Sequence, residues 1–319
     1  MFFYVYLQPE VISVAQKNGA LGLQVLISIL RGFLQNCCLA EFENYRVQPA
    51  IAEKVERLDD NYDRKIIKEL FRVMEKRNRF IYCLPNHEEA ESEVECAKDQ
   101  AEEAMLDLLL LVDEDDEFEM IEVATLFDYQ HSEFEVVRSK LVAEGLTLAA
   151  DALAGKEMLD RYLKKALRYA SSIVVCDRLF GEKYAGNYEY SAKVLFQWLE
   201  QALADPASCA FTFHCGEPDP DAGARDLDTM RRELTGFKVG RLVGFRLKLQ
   251  LYGTDTRDFL PHQRFIITDQ LAIAVDPGMD FMNPRTGRNR DLMFNYRSRA
   301  ELDKLLDSYQ AGRGAEVEL

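Results

Sequence analysis

A histidine and a guanidinium stand two residues apart, at His262 and Arg264, in the run Pro261-His262-Gln263-Arg264-Phe265-Ile266-Ile267-Thr268-Asp269. On an extended strand, residues two apart project from one face. An imidazole placed there can attack phosphorus or shuttle a proton. An arginine beside it grips phosphate oxygens through paired N–H groups. Asp269 would orient or neutralise both. A second apolar run follows, closed by Asp276 and by Gly278-Met279-Asp280-Phe281-Met282-Asn283. Arg285, Arg288 and Arg290 then make a cationic loop able to wrap a phosphate backbone, or an ordinary solvated turn. Lys248 could extend the same surface.

Other candidates are second-tier. Asp177 ends an apolar run, and His214 ends another. Asp280 and Asn283 sit in the segment after the motif. His214 reads more readily as a capping or semi-buried structural histidine. Carboxylates at 113–117, or Asp128, His131 and Glu133, could hold a divalent ion, but such runs are more often solvated faces. No P-loop, Gly-x-Gly-x-x-Gly or Gly-x-Ser-x-Gly is present. The reading calls for no cofactor and no metal. A nuclease fold with an aspartate after its first strand is discounted, because Gln8, Pro9 and Glu10 occupy that place.

Positioning these residues requires an α/β scaffold. An apolar start over 1–7 reads as a strand and not a signal peptide. Leu21, Val25, Ile29 and Phe33 then repeat at helical spacing, as do the apolar residues of 51–77. Strands are expected at 79–84, 172–177, 210–214 and 242–252, with Val243 and Phe245 on one face of the last. Helices are expected over 151–170, 191–203 and 227–235, and 261–276 should form a hairpin. The chain of 319 residues suggests two domains. Residues 1–150 are an acidic α/β or mostly helical part suited to regulation or partner docking. Residues 151–319 form a mixed sheet flanked by helices.

Net charge is −16, which argues against broad adhesion to nucleic acid or anionic membrane. The charge is uneven. Residues 211–300 carry 14 Lys/Arg against 12 Asp/Glu, so the phosphate-handling part is the least acidic. Seven cysteines without a C-x-x-C pair read as small buried hydrophobes in a reducing, cytoplasmic setting. No stretch reaches the roughly 20 apolar residues of a membrane span.

The His262-x-Arg264-x4-Asp269 pattern resembles the phospholipase D-like superfamily, whose motif is His-x-Lys-x4-Asp followed by a glycine and an asparagine. Arginine stands in the lysine position. Gly278-Met279-Asp280-Phe281, with Ile173-x-Val175-x-Asp177 upstream, resembles the branch found C-terminal to MIT domains. The likeness covers roughly 165–310. It implies metal-independent phosphodiester chemistry in which two motif histidines meet across a two-fold axis. One copy of the motif implies a homodimer with two His262 side chains converging. Three readings stay open. One is a dimeric phosphodiesterase, a nuclease of a bacterial defence system among the possibilities. A second is an inactive module that binds phosphate, lipid or nucleic acid and a protein partner. In the third, the motif is structural and Arg264 pairs with Asp269 or Asp280.

Overall fold

The protein is described by a computed structural model covering residues 2–42, 46–59, 61–83, 90, 92–113, 118–149, 155–253, 255–256, 260, 262–276, 278–282, 291–297, 304 and 315–319, without the side chains of 82, 83, 281 and 282. It divides into two compact units, Met1–Ala143 and Glu144–Leu319. Arg285, Arg288, Arg290, Asn283, His87 and the acids 114–117 lie outside the described residues.

The first unit runs β1 (Phe3–Leu7), α1 (Glu10–Lys17), α2 (Gly19–Asn36), β2 (Cys37–Phe42), α3 (Val47–Glu56), α4 (Tyr62–Lys76), β3 (Phe80–Cys83), α5 (Glu93–Asp99), β4 (Leu108–Leu110), β5 (Glu122–Ala124) and α6 (Glu133–Glu144). Its five strands pair only in parallel, in the order β3-β2-β1-β4-β5. Every residue of β1 is buried, as its unbroken apolar run requires of a strand covered on both faces. The helical periodicity of 51–77 is divided because Asn61 accepts the Arg64 N–H at 2.8 Å and starts α4 afresh. β2 follows α2 with no intervening turn.

The second unit contains β6 (Leu146–Leu148), α7 (Lys156–Tyr162), α8 (Lys164–Leu167), β7 (Ser172–Cys176), α9 (Arg178–Glu182), α10 (Asn187–Ala202), β8 (Ala210–Gly216), α11 (Leu227–Gly236), β9 (Arg246–Tyr252), β10 (Arg264–Thr268), β11 (Ala272–Asp276), β12 (Leu292–Tyr296) and β13 (Ala315–Glu318). The sheet order is β13-β9-β8-β7-β10-β11-β12-β6. Strands β7, β8 and β9 are parallel and joined through helices, while β10, β11 and β12 meander antiparallel. The unit starts a few residues before the boundary expected from sequence, because Leu146–Leu148 pairs with β12.

Alternation along the strands separates two faces. Phe265 and Ile267 join Cys176, Ala272, Ala274, Tyr252 and Leu260 in a core on one side. On the other, Phe180 of α9 stacks on Phe213 of β8 with centroids 4.3 Å apart, and Trp198 donates to Asp160 at 2.9 Å, tying α10 to α7. The strand expected from Leu242 begins only at Arg246. Residues 240–242 form a 3₁₀ turn, and Val243 is 71% exposed instead of facing the core.

Candidate functional site

Antiparallel pairing of β10 with β7 sets Phe265 opposite Cys176, so one step further Arg264 falls opposite Asp177. The Arg264 Nε lies 3.6 Å from Asp177 Oδ1, and its Nη1 lies 3.5 Å from Asp276 Oδ1 at the end of β11. Asp177 has no exposed side-chain surface. Its Oδ1 accepts the Leu179 N–H at 3.0 Å, capping α9, and its Oδ2 accepts the Met279 N–H at 2.9 Å. Burial pushes its carboxyl above the usual range, while the Met279 N–H and the Arg264 guanidinium oppose that shift. Gly278 completes the corner. A Cβ there would lie 3.3 Å from Arg264 Nε and Asp177 Oδ2, and 3.4 Å from Asp280 Oδ1. Asp280 therefore faces the same spot, and the arrangement is a guanidinium among three carboxylates.

His262 precedes β10 in a bend and is exposed, so strand alternation does not govern its direction. No described residue hydrogen-bonds it. It stands at the same end of β10 as Arg264. Asp269 stands at the other end, about 16 Å along a five-residue strand. There its carboxylate accepts the Ser171 N–H at 3.1 Å, the Ser171 hydroxyl at 2.7 Å and the Ser172 N–H at 3.4 Å. It fixes the entry to β7. Arg264 thus pairs with Asp177 and Asp276 and not with Asp269, and Asp280 approaches without an ion pair.

His214 is also placed apart from Arg264. It lies in register with Cys176 and Phe265, so its ring points to the sheet face opposite Arg264. It is buried, its Nδ1 lies 3.0 Å from the Tyr252 hydroxyl, and burial lowers its pKa to about 4. Lys248, on β9, is held by Glu316 at 3.0 Å and Glu318 at 3.1 Å. Of the described candidates, the fold brings together Arg264, Asp177 and Asp280, and it adds Asp276, while His262 lies two residues ahead of Arg264 in the chain. Hairpin register alone would not have found Asp276, because Val275 is the residue opposite Arg264 and Asp276 lies one step beyond it, at the strand end.

The first unit offers less. Gln8 follows β1 where strand order reverses between β1 and β4, the usual place for a ligand crevice. Its side chain instead accepts the Val112 N–H at 2.9 Å, stitching the two strand ends together. Glu122 accepts the N–H groups of Glu133 and Phe134 and caps α6; Asp128 is bonded by Thr125; His131 is exposed. Among the described residues no group of three His, Cys, Asp or Glu is arranged to hold a metal, and no helix is long and apolar enough to cross a membrane. Six cysteines, 37, 38, 96, 176, 209 and 215, are buried and form no disulfide among the described residues. No family model, no curated protein and no solved structure matches this chain.

Proposed function

We propose that the second unit is a phospholipase D-like module that binds an oxyanion, such as the phosphate of a nucleic acid or lipid, without cleaving it. The observation that carries this reading is the state of Arg264. Its contacts to Asp177 and Asp276 are long, it keeps 21% of its side-chain surface, and exposed His262 stands at the same strand end. A guanidinium held this loosely retains donors for an anion at its open side. Turnover needs a second acid–base group to protonate the leaving oxygen. His214 cannot supply it, being buried, neutral at pH 7 and turned to the other face. With three carboxylates around one arginine, binding is expected to be weak and salt-sensitive.

The test is binding and cleavage of labelled single- and double-stranded DNA and RNA, and of vesicles containing anionic lipid, in EDTA. Expected is low-salt binding that falls at least tenfold in Arg264→Gln, with no product from any substrate. Absence of binding to every probe sinks the proposal. A second reading, the metal-independent dimeric phosphodiesterase, is favoured by the exposure of His262, which leaves it open to meet its counterpart from a second copy. Cleavage that survives EDTA and disappears in His262→Ala would replace the binding reading with that one.

A further inference from the structure

The outer edge of the second unit's sheet is closed in an unusual way. β9 is a core strand: Leu247, Leu249 and Leu251 are each 2% exposed or less. Its free side is covered by β13, of which no residue is buried. Pairing is antiparallel, with Ala315 opposite Leu251, Glu316 opposite Gln250, Val317 opposite Leu249 and Glu318 opposite Lys248. Alternation sends Glu316 and Glu318 to one face, where Lys248 bridges both, and sends half-buried Val317 to the other, beside Leu249. Past the ladder, the Leu319 N–H donates to Leu247 O at 2.9 Å, and Lys238 Nζ donates to Leu319 O at 2.9 Å.

This strand is held by main-chain hydrogen bonds and two lysines, with little apolar surface to lose on leaving. Backbone pairing supplies the grip and the Glu-x-Glu pattern supplies the selectivity, as in recognition by strand addition. An exposed ion pair is worth little and is screened by salt, so the clamp sets register more than it adds stability. The edge it covers is a complete row of strand donors and acceptors, which always favours occupation.

We propose that the outer edge of β9 is an acceptor for an acidic extended strand, and that residues 315–319 occupy it exchangeably, those of a second copy replacing those of the same chain. The occupant is identified by fit: residues 315–319 set Glu316, Val317 and Glu318 opposite Gln250, Leu249 and Lys248 and bring the Leu319 carbonyl to Lys238, and every copy carries them. Such reciprocal exchange makes a dimer without any new kind of contact. The inference is independent of what Arg264 binds.

Charge reversal distinguishes exchange from permanent attachment. Lys248→Glu in one full-length chain sets acid against acid within that chain. Glu316→Lys/Glu318→Lys in another sets base against base. Each pairing is complementary only across the two chains. A 1:1 mixture is expected to give a heterodimer by native mass spectrometry that neither chain gives as a homodimer, at least tenfold more abundant than either. Joining all three substitutions in one chain should abolish that preference. Should either variant fail to fold, Gln250→Cys/Glu316→Cys in the otherwise unaltered chain decides. The positions are opposite in register, at a spacing a disulfide can close. A between-chain disulfide whose share rises with protein concentration supports exchange. A disulfide formed only within chains at every concentration, or none at all, overturns it, as does a mixture that remains two separate species.

Discussion

Two arginines, one in each unit, meet carboxylates in contrasting ways. Arg138 of α6 is 5% exposed in its side chain, and both edges of its guanidinium are committed. Its Nε and Nη2 donate to Glu135 at 2.7 and 2.8 Å, and its Nη1 reaches Gly32 O, Gln35 Oε1 and Asn36 Oδ1 at 3.0, 3.2 and 3.1 Å. Tyr129 donates to the same Glu135 at 2.5 Å. Gly32 is required for this approach, since a Cβ there would stand 2.9 Å from Arg138 Nη2. Arg264 has two carboxylates at 3.5–3.6 Å and open donors. Saturation marks a structural clamp, whereas loose pairing beside an exposed histidine marks a place for something else to bind. Sequence distinguishes them poorly, because both are arginines near acids.

The contrast can be broken in four ways. Arg138→Ala should cost most, roughly 3–5 kcal/mol, since it removes the cation paired with Glu135 and the donor to Gly32, Gln35 and Asn36 from a largely buried site. Urea unfolding followed by circular dichroism reads it. A loss below about 1 kcal/mol would mean the clamp is dispensable.

The next effect is of pH. The folded pKa of His214 is lowered to about 4 by burial, from an ordinary 6.5. The unfolded chain therefore takes up this proton first. Its contribution is complete above about pH 6.5 and is lost as pH falls through about 4, amounting to about 3 kcal/mol. Asp177, whose pKa is raised, works in the opposite direction. Comparing His214→Asn with the parent isolates the histidine. Fluorescence of Trp198, the one tryptophan, reports this unit, and an unchanged pH slope in the variant would refute the assignment.

Arg264→Gln comes third, at about 1–3 kcal/mol, less than Arg138 because its side chain is partly exposed and Asp177 can take a proton instead. A loss equal to that of Arg138→Ala would erase the distinction. Smallest is Asp269→Ala, at about 1–2 kcal/mol from the lost bonds to Ser171 and Ser172, with anion binding unchanged. Loss of binding in that variant would return Asp269 to the site.

These residues also show how far the sequence could be read. The strands over 1–7, 172–177, 210–214 and the hairpin were legible because their apolar runs are bounded by breaks. Asp177 was legible too, as the acid closing such a run. Asp269 was misplaced by a motif spacing that ignores length: the four residues between it and Arg264 are extended, which carries it to the opposite end of the strand. His262 was assigned a face although the strand begins after it. β2 escaped notice because α2 runs straight into it at Cys37 without a turn residue, and because Glu41 interrupts its apolar pattern. β6 and β12 are short and become strands through pairing with each other and with β11, a long-range condition that local periodicity does not carry.

The strand orders have a bearing on synthesis as well. In the first unit β1 is central, and each later strand finds a neighbour already made: β2 beside β1, β3 beside β2, β4 beside β1, β5 beside β4. In the second, β6 emerges first but pairs only with β12, so Leu148 must wait for Leu292 while nearly the whole unit is translated. Contacts so far apart in sequence slow folding and leave strands unsatisfied in the interim. A three-residue β6 limits what is left sticky during that wait. The first unit can ratchet into place as it is made, whereas the second must hold its far edge open until its last third arrives.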